Sequence, residues 1–151
     1  MSIISENIEV ARIHLKRIKE AGREITEKNL LTKLNTEDFE TVKTIDTFVF
    51  RFIKLQDYMG QKLFKRFLDA IGEFYENMSF IDMLDKLEQL DIITSADEWM
   101  KIRKLRNKIT HDYPDELKEI ENDLKIAMNY VDEIENSIIM IERYLKQRNL
   151  I

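Results

Sequence analysis

Residues 101–114 read KIRKLRNKITHDYP, and three of them are of types that handle phosphates and protons. Arg106 carries a forked, permanently charged guanidinium that matches the geometry of a phosphate. His111 follows five residues later, and a free imidazole, titrating near pH ~6.5, can take up or release a proton under neutral conditions. Tyr113 adds a hydroxyl immediately before Pro114. Lys101, Arg103, Lys104, Arg106 and Lys108 place five cations within eight residues. Such a cluster suits the backbone of a nucleic acid; it would equally complement the negative end of a helix. On one continuous helix, five residues rotate through roughly 140°, so Arg106 and His111 would point apart. They converge if the helix ends near Thr110 and the chain turns, as the coming proline encourages. A twofold axis bringing two copies of the segment face to face is the other route.

Little else in the chain offers chemistry. It has 151 residues, a net charge of -5 and no cysteine. Disulfide and thiolate chemistry are thereby excluded, and the cytoplasm is the natural compartment. His14 and His111 belong to no spaced metal-binding pair, so no metal site is expected. The glycines form neither a phosphate loop nor a dinucleotide fingerprint, and no cofactor is implied. No apolar run is long enough to span a membrane. The N-terminal stretch, interrupted by Glu6 and Glu9, lacks the uninterrupted apolar core of a signal peptide. The acidic balance argues against coating nucleic acid by bulk charge, though a local basic patch remains.

The elements that must position this segment read as helices throughout. Ile4, Ile8, Ala11, Leu15, Ile18, Gly22 and Ile25 form a stripe along a first helix. A connector over 29–35 leads to capping residues Asn35-Thr36-Glu37-Asp38 and a second helix expected over 37–76. Its stripe is Val42, Ile45, Val49, Phe52, Met59, Leu63, Phe67, Ala70 and Phe74, with Gly60 as the point where it could break. Gln56 interrupts that stripe, with Asp57 beside it, and marks either a kink, a water or a contact to the Arg106 network. Ser79 with Asp82, and Ser95 with Glu98, resemble capping boxes that open two further helices, the first through about Leu90. The second turns Trp99, Ile102, Leu105 and Ile109 inward and is expected to end near Thr110. Pro114 suits the first turn of the last helix, whose stripe runs from Leu117 through Ile120, Leu124, Ala127, Val131, Ile134, Ile138 and Ile141 to Leu145. Core packing accounts for that stripe, and Ile139, Met140 and Tyr144 widen it enough to meet a second subunit. The whole predicts a single all-α domain over 1–151, an antiparallel four-helix bundle with an additional short helix.

Arg106-Asn107-x-x-x-His111-x-Tyr113 resembles the R-x4-H-x-Y signature of the HEPN superfamily, specifically its HepT-like toxins. Trp99-x-x-Ile102-Arg103-x-Leu105-Arg106-Asn107 resembles the lead-in to that signature. The likeness covers residues 97–114 and is otherwise architectural; Thr110 stands where many relatives carry alanine, another small residue. The resemblance implies a metal-independent endoribonuclease toxin of a type VII-like toxin–antitoxin pair, working as a homodimer with a composite site. His111 would act as general base or acid at the ribose 2′-hydroxyl, and Arg106 would hold the scissile phosphate. Asn107 would orient one of them, while Lys101, Lys104 and Lys108 would contact the RNA backbone. Attack by the 2′-oxygen would leave a 2′,3′-cyclic phosphate and spare DNA. The resemblance also implies a minimal nucleotidyltransferase antitoxin that neutralises the toxin by AMPylation of Tyr113, placing bulk and charge in the RNA path.

Two other readings of the same residues stay open. In one, the chain is a non-catalytic partner of a nucleotidyltransferase that binds nucleotide or presents substrate through Arg106 and His111. In the other, it is a helical adaptor whose last helix is the working surface.

Overall fold

In a computed structural model that describes residues 2–151, the chain is a helical bundle, with no strand among the described residues. Helix α1 (Ile3–Glu27) starts at Ser2, whose hydroxyl accepts the Ser5 N–H, and buries one apolar stripe along its length. Ala21 rather than Gly22 lies in that stripe; Gly22 sits at its edge, where the Phe48 ring passes within 3.6 Å of the position a Cβ would occupy. A 3₁₀ turn at Leu30–Lys33 crosses the connector. Asp38 then caps α2 (Phe39–Tyr58), accepting the Thr41 N–H at 3.1 Å.

The expected helix over 37–76 differs in two places. At Gly60 it does not break but widens into a π-helical turn, Met59–Leu63, in which the Phe64 N–H donates to the Met59 carbonyl. It then resumes as α3 (Phe64–Ala70). It stops at Ala70 because Gly72 adopts φ 78°, letting the Gly72 and Glu73 N–H groups close back on the Asp69 and Leu68 carbonyls at 3.0 and 2.8 Å. This is a Schellman stop, which only a residue free to take positive φ builds cheaply. Ala70 and Phe74 therefore fall outside the buried stripe, and Phe64 and Leu68 enter it.

Ser79 and Ser95 open α4 (Phe80–Gln89) and α5 (Ala96–Asp112) as the capping patterns predict, accepting the Asp82 and Glu98 N–H groups at 3.0 and 2.9 Å. Glu88 adds a second acceptor, taking the Ala96 N–H at 2.7 Å. Helix α5 continues beyond the expected end at Thr110, and the Tyr113 N–H still donates to the Ile109 carbonyl. Pro114, expected inside the first turn of α6, instead lies in the connector, and α6 runs over Leu117–Gln147.

Helix α1 packs on α2 and α6, α5 packs on α2 and α6, and α4 lies against α3 and α5. Trp99 of α5 is fully buried where these meet, edge-on to Phe64 of α3 with ring centroids 4.8 Å apart. That contact fixes the depth of α5, and with it the position of the motif residues two to three turns later. Replacing Trp99 by alanine should lower the unfolding free energy by about 3–5 kcal/mol, the usual loss for a large buried aromatic, as read from urea titration. A loss under ~1 kcal/mol would mean that α5 is held elsewhere.

Candidate active site

Helix α5 displays the motif on two faces. Arg106 turns inward toward α2, where its Nε and Nη2 groups donate to the two carboxylate oxygens of Asp57 at 2.8 and 2.7 Å. The pair is partly shielded, with side-chain exposures of 23% and 29%. This fork-to-fork arrangement fixes the plane of the guanidinium. Its remaining nitrogen, Nη1, reaches Thr110 Oγ1 at 3.2 Å and Asn107 Oδ1 at 3.4 Å, two neutral partners that an anion can displace. Asp57 stands beside the polar interruption at Gln56, and it is Asp57, not Gln56, that contacts Arg106, two residues before a π turn.

His111 is on the opposite side of the helix, with its side chain 86% exposed. Its Nδ1 lies 3.1 Å from Asp112 Oδ1. Lys108 donates to the other Asp112 oxygen at 2.9 Å and, with His111, holds that carboxyl below its ordinary value. An ionised carboxylate can only accept, so His111 Nδ1 donates its hydrogen to Asp112 and Nε2 is left at the exposed end of the ring. In the neutral ring that leaves an Nε2 lone pair free to accept a proton. Asp112 thus orients the ring, and its signal in the sequence was only its place next to the histidine.

Because α5 runs unbroken through both residues, Arg106 and His111 do not converge within one chain, and the turn at Thr110 that would join them is absent. Asn107 stays exposed beside Arg106. Of the three lysines expected on an RNA backbone, Lys104 is exposed without an ion-pair partner among the described residues, and Lys101 is paired loosely with Glu98 at 3.0 Å. Lys108 is occupied differently. It donates to Asp112, to Glu119 at 3.1 Å and to Asp123 at 3.0 Å, tying α5 to α6 and pushing its own pKa well up. In this structure it neutralises carboxylates rather than offering a free charge.

Tyr113 donates its hydroxyl to Asp46 of α2. Burial first, and Asp46 second, push the phenol up from its usual value, so it is a protonated donor at neutral pH. Asp46 is a second residue that no pattern in the sequence singled out. Comparison of the chain with protein-family models, with curated proteins and with solved structures returned no match.

The cluster around Lys108 has a pH signature. Asp112, held low by Lys108, adds stability above its unfolded-state value and loses it as the pH falls. Asp123 works the other way: burial raises it, so its contribution is present at acid pH and lost as the pH climbs through the carboxylate range. Removing Lys108 leaves two neighbouring carboxylates with no cation between them. Lys108→Met should therefore lower Tm at pH 7 by roughly 5 °C, and the gap to wild type should narrow only as the pH falls below about 4, where the lowered Asp112 begins to protonate. An unchanged Tm at pH 7 would free Lys108 for the RNA contact expected from the sequence.

Proposed function

We propose that this chain is a metal-independent endoribonuclease of the HepT-like kind, acting as a homodimer whose twofold axis juxtaposes Arg106 of one copy and His111 of the other. The observation that carries the reading is that Arg106 and His111 are each held by a carboxylate and each keep a working edge open. Asp57 leaves Arg106 Nη1 outward, and Asp112 leaves His111 Nε2 outward. Since α5 keeps these edges on different faces, a second copy is the remaining way to bring them together. The bundle is taken as antiparallel and up-down, with α4 as the additional short helix.

The chemistry follows from those edges. His111 Nε2 accepts the ribose 2′-proton, the 2′-oxygen attacks phosphorus as the bond to the 5′-oxygen of the next nucleotide breaks, and that oxygen takes a proton from solvent. Arg106 stabilises the charge that develops on the non-bridging oxygens. The products are a 2′,3′-cyclic phosphate and a 5′-hydroxyl. A minimal nucleotidyltransferase antitoxin would switch this off at Tyr113: the phenolic oxygen attacks the α-phosphorus of ATP, pyrophosphate leaves, and Asp46 is placed to receive the phenolic proton. The attached AMP then stands two residues from His111.

A second reading, a non-catalytic nucleotide- or substrate-binding partner of a nucleotidyltransferase, is favoured by the separation of Arg106 and His111 within one chain. RNA cleavage in EDTA separates the two. Wild type should cut to cyclic-phosphate ends, with His111→Ala slower by at least ~10²-fold and Arg106→Ala by ~10²–10³-fold. Intact mass must accompany the assay, because AMP already on Tyr113 would silence wild type. An unmodified, folded dimer that cuts no RNA would leave the binding partner as the function.

A further inference from the structure

The cleft beside Arg106 carries more than phosphate binding requires. It encloses about 380 Å³ and is lined by Gln56, Gly60, Gln61, Phe80, Arg103 and Arg106, with Lys65 at its edge. The π turn shapes one wall: Gly60 brings bare backbone against Phe80, whose ring would lie 3.1 Å from any Cβ placed there. The Arg103 guanidinium sits 4.4 Å from the centroid of that ring. Together they form a charged aromatic edge against which a planar group can stack. Gln56 is only 4% exposed, lines the cleft, and its amide has no hydrogen-bond partner among the described residues. Its polar atoms are not fully enclosed: what is exposed of them opens to the cleft, where a ligand with complementary groups can meet them.

We infer that this cleft takes one unpaired adenine base of an RNA strand, the strand whose phosphate Arg106 holds. The inference rests on the RNA-binding part of the reading above. The Gln56 amide presents a donor and an acceptor side by side, and the commonest bidentate partner of such an amide is an adenine edge. Arg103 and Phe80 supply the stacking surface, the usual device for a splayed-out base. Lys65, Arg103 and Arg106 converge on the cleft against the single carboxylate of Asp57, which Arg106 already neutralises. Lys104, exposed on the same helix, extends the positive charge beyond one nucleotide and favours a strand over a free mononucleotide.

Fluorescence anisotropy with 2′-O-methyl hexamers of A, C and U tests this, because the methyl group blocks 2′-attack and binding is read whether or not the chain cuts RNA. Wild type should bind the A hexamer about tenfold more tightly than the U hexamer, within the discrimination one bidentate pairing provides. Gln56→Met, close in volume and apolar, should bring the hexamers level without lowering Tm. Arg103→Ala, at an exposed position that folding tolerates, should weaken all of them several-fold, while Lys16→Ala on α1 changes nothing. Equal wild-type affinities, an A preference that survives Gln56→Met, or an Arg103→Ala protein that binds as wild type would each overturn the subsite. AMP binding as tightly as the A hexamer would overturn its assignment to an RNA strand. A Gln56-dependent preference in a chain that cuts no RNA keeps the subsite and removes the ribonuclease; cutting without base preference does the reverse.

Discussion

The bidentate pair between Arg106 and Asp57 is the constraint around which the candidate site is organised. It joins the C-terminal end of α2 to the second half of α5 through two short, charge-assisted bonds in a partly shielded setting. Such pairs are directional, so the guanidinium plane is set before any ligand arrives. The same bonds consume the inward donors and leave Nη1 as the edge that an incoming anion meets. An arginine with no carboxylate behind it would wander through its rotamers and lose that preparation.

The rotation of α5 imposes the second constraint. With the helix intact through Asp112, everything inward at Arg106 is outward by His111. The carboxylates then divide the work by face: Asp57 holds the arginine, and Asp112 orients the histidine with Lys108 behind it. Lys108 also joins α5 to α6 through Asp123, so the lysine that is nearest to the histidine turn in sequence serves the bundle. A basic run read as one patch thus resolves into three uses: Arg106 in the candidate site, Lys108 in a network of carboxylates, and Lys104 exposed without an ion-pair partner among the described residues.

The π turn at Met59–Leu63 connects the core to the cleft. One extra residue per turn costs hydrogen-bond regularity, and such insertions concentrate where side chains must be re-aimed. Here the widened turn follows Gln56 and Asp57 directly and puts Gly60 against Phe80. Two polar side chains and an aromatic ring thereby share one cleft with Arg103 and Arg106.

Helix content, the capping serines and the apolar stripes of α1, α5 and α6 were legible in the sequence, because 3.6-residue periodicity and N-cap chemistry act within a few residues of each other. Arg106, His111, Asn107 and Tyr113 were singled out by types and spacing within one short segment. Their partners were not, apart from Asp57, which stood beside the polar interruption at Gln56 with a contact to the Arg106 network as one of three open readings. Asp46 is a single carboxylate on an exposed-looking helix face, 67 residues from Tyr113. Nothing local distinguishes it from solvated neighbours. The stop at Gly72 and the continuation past Thr110 were misread for a related reason: a glycine's φ and a helix's last turn depend on whether tertiary packing makes the alternative cheaper. The sequence by itself determined which side chains could do chemistry and which segments would be helical, since both are local properties. Only the tertiary structure decided which carboxylate stands behind which cation, because that depends on the depth and rotation at which α2, α5 and α6 pack.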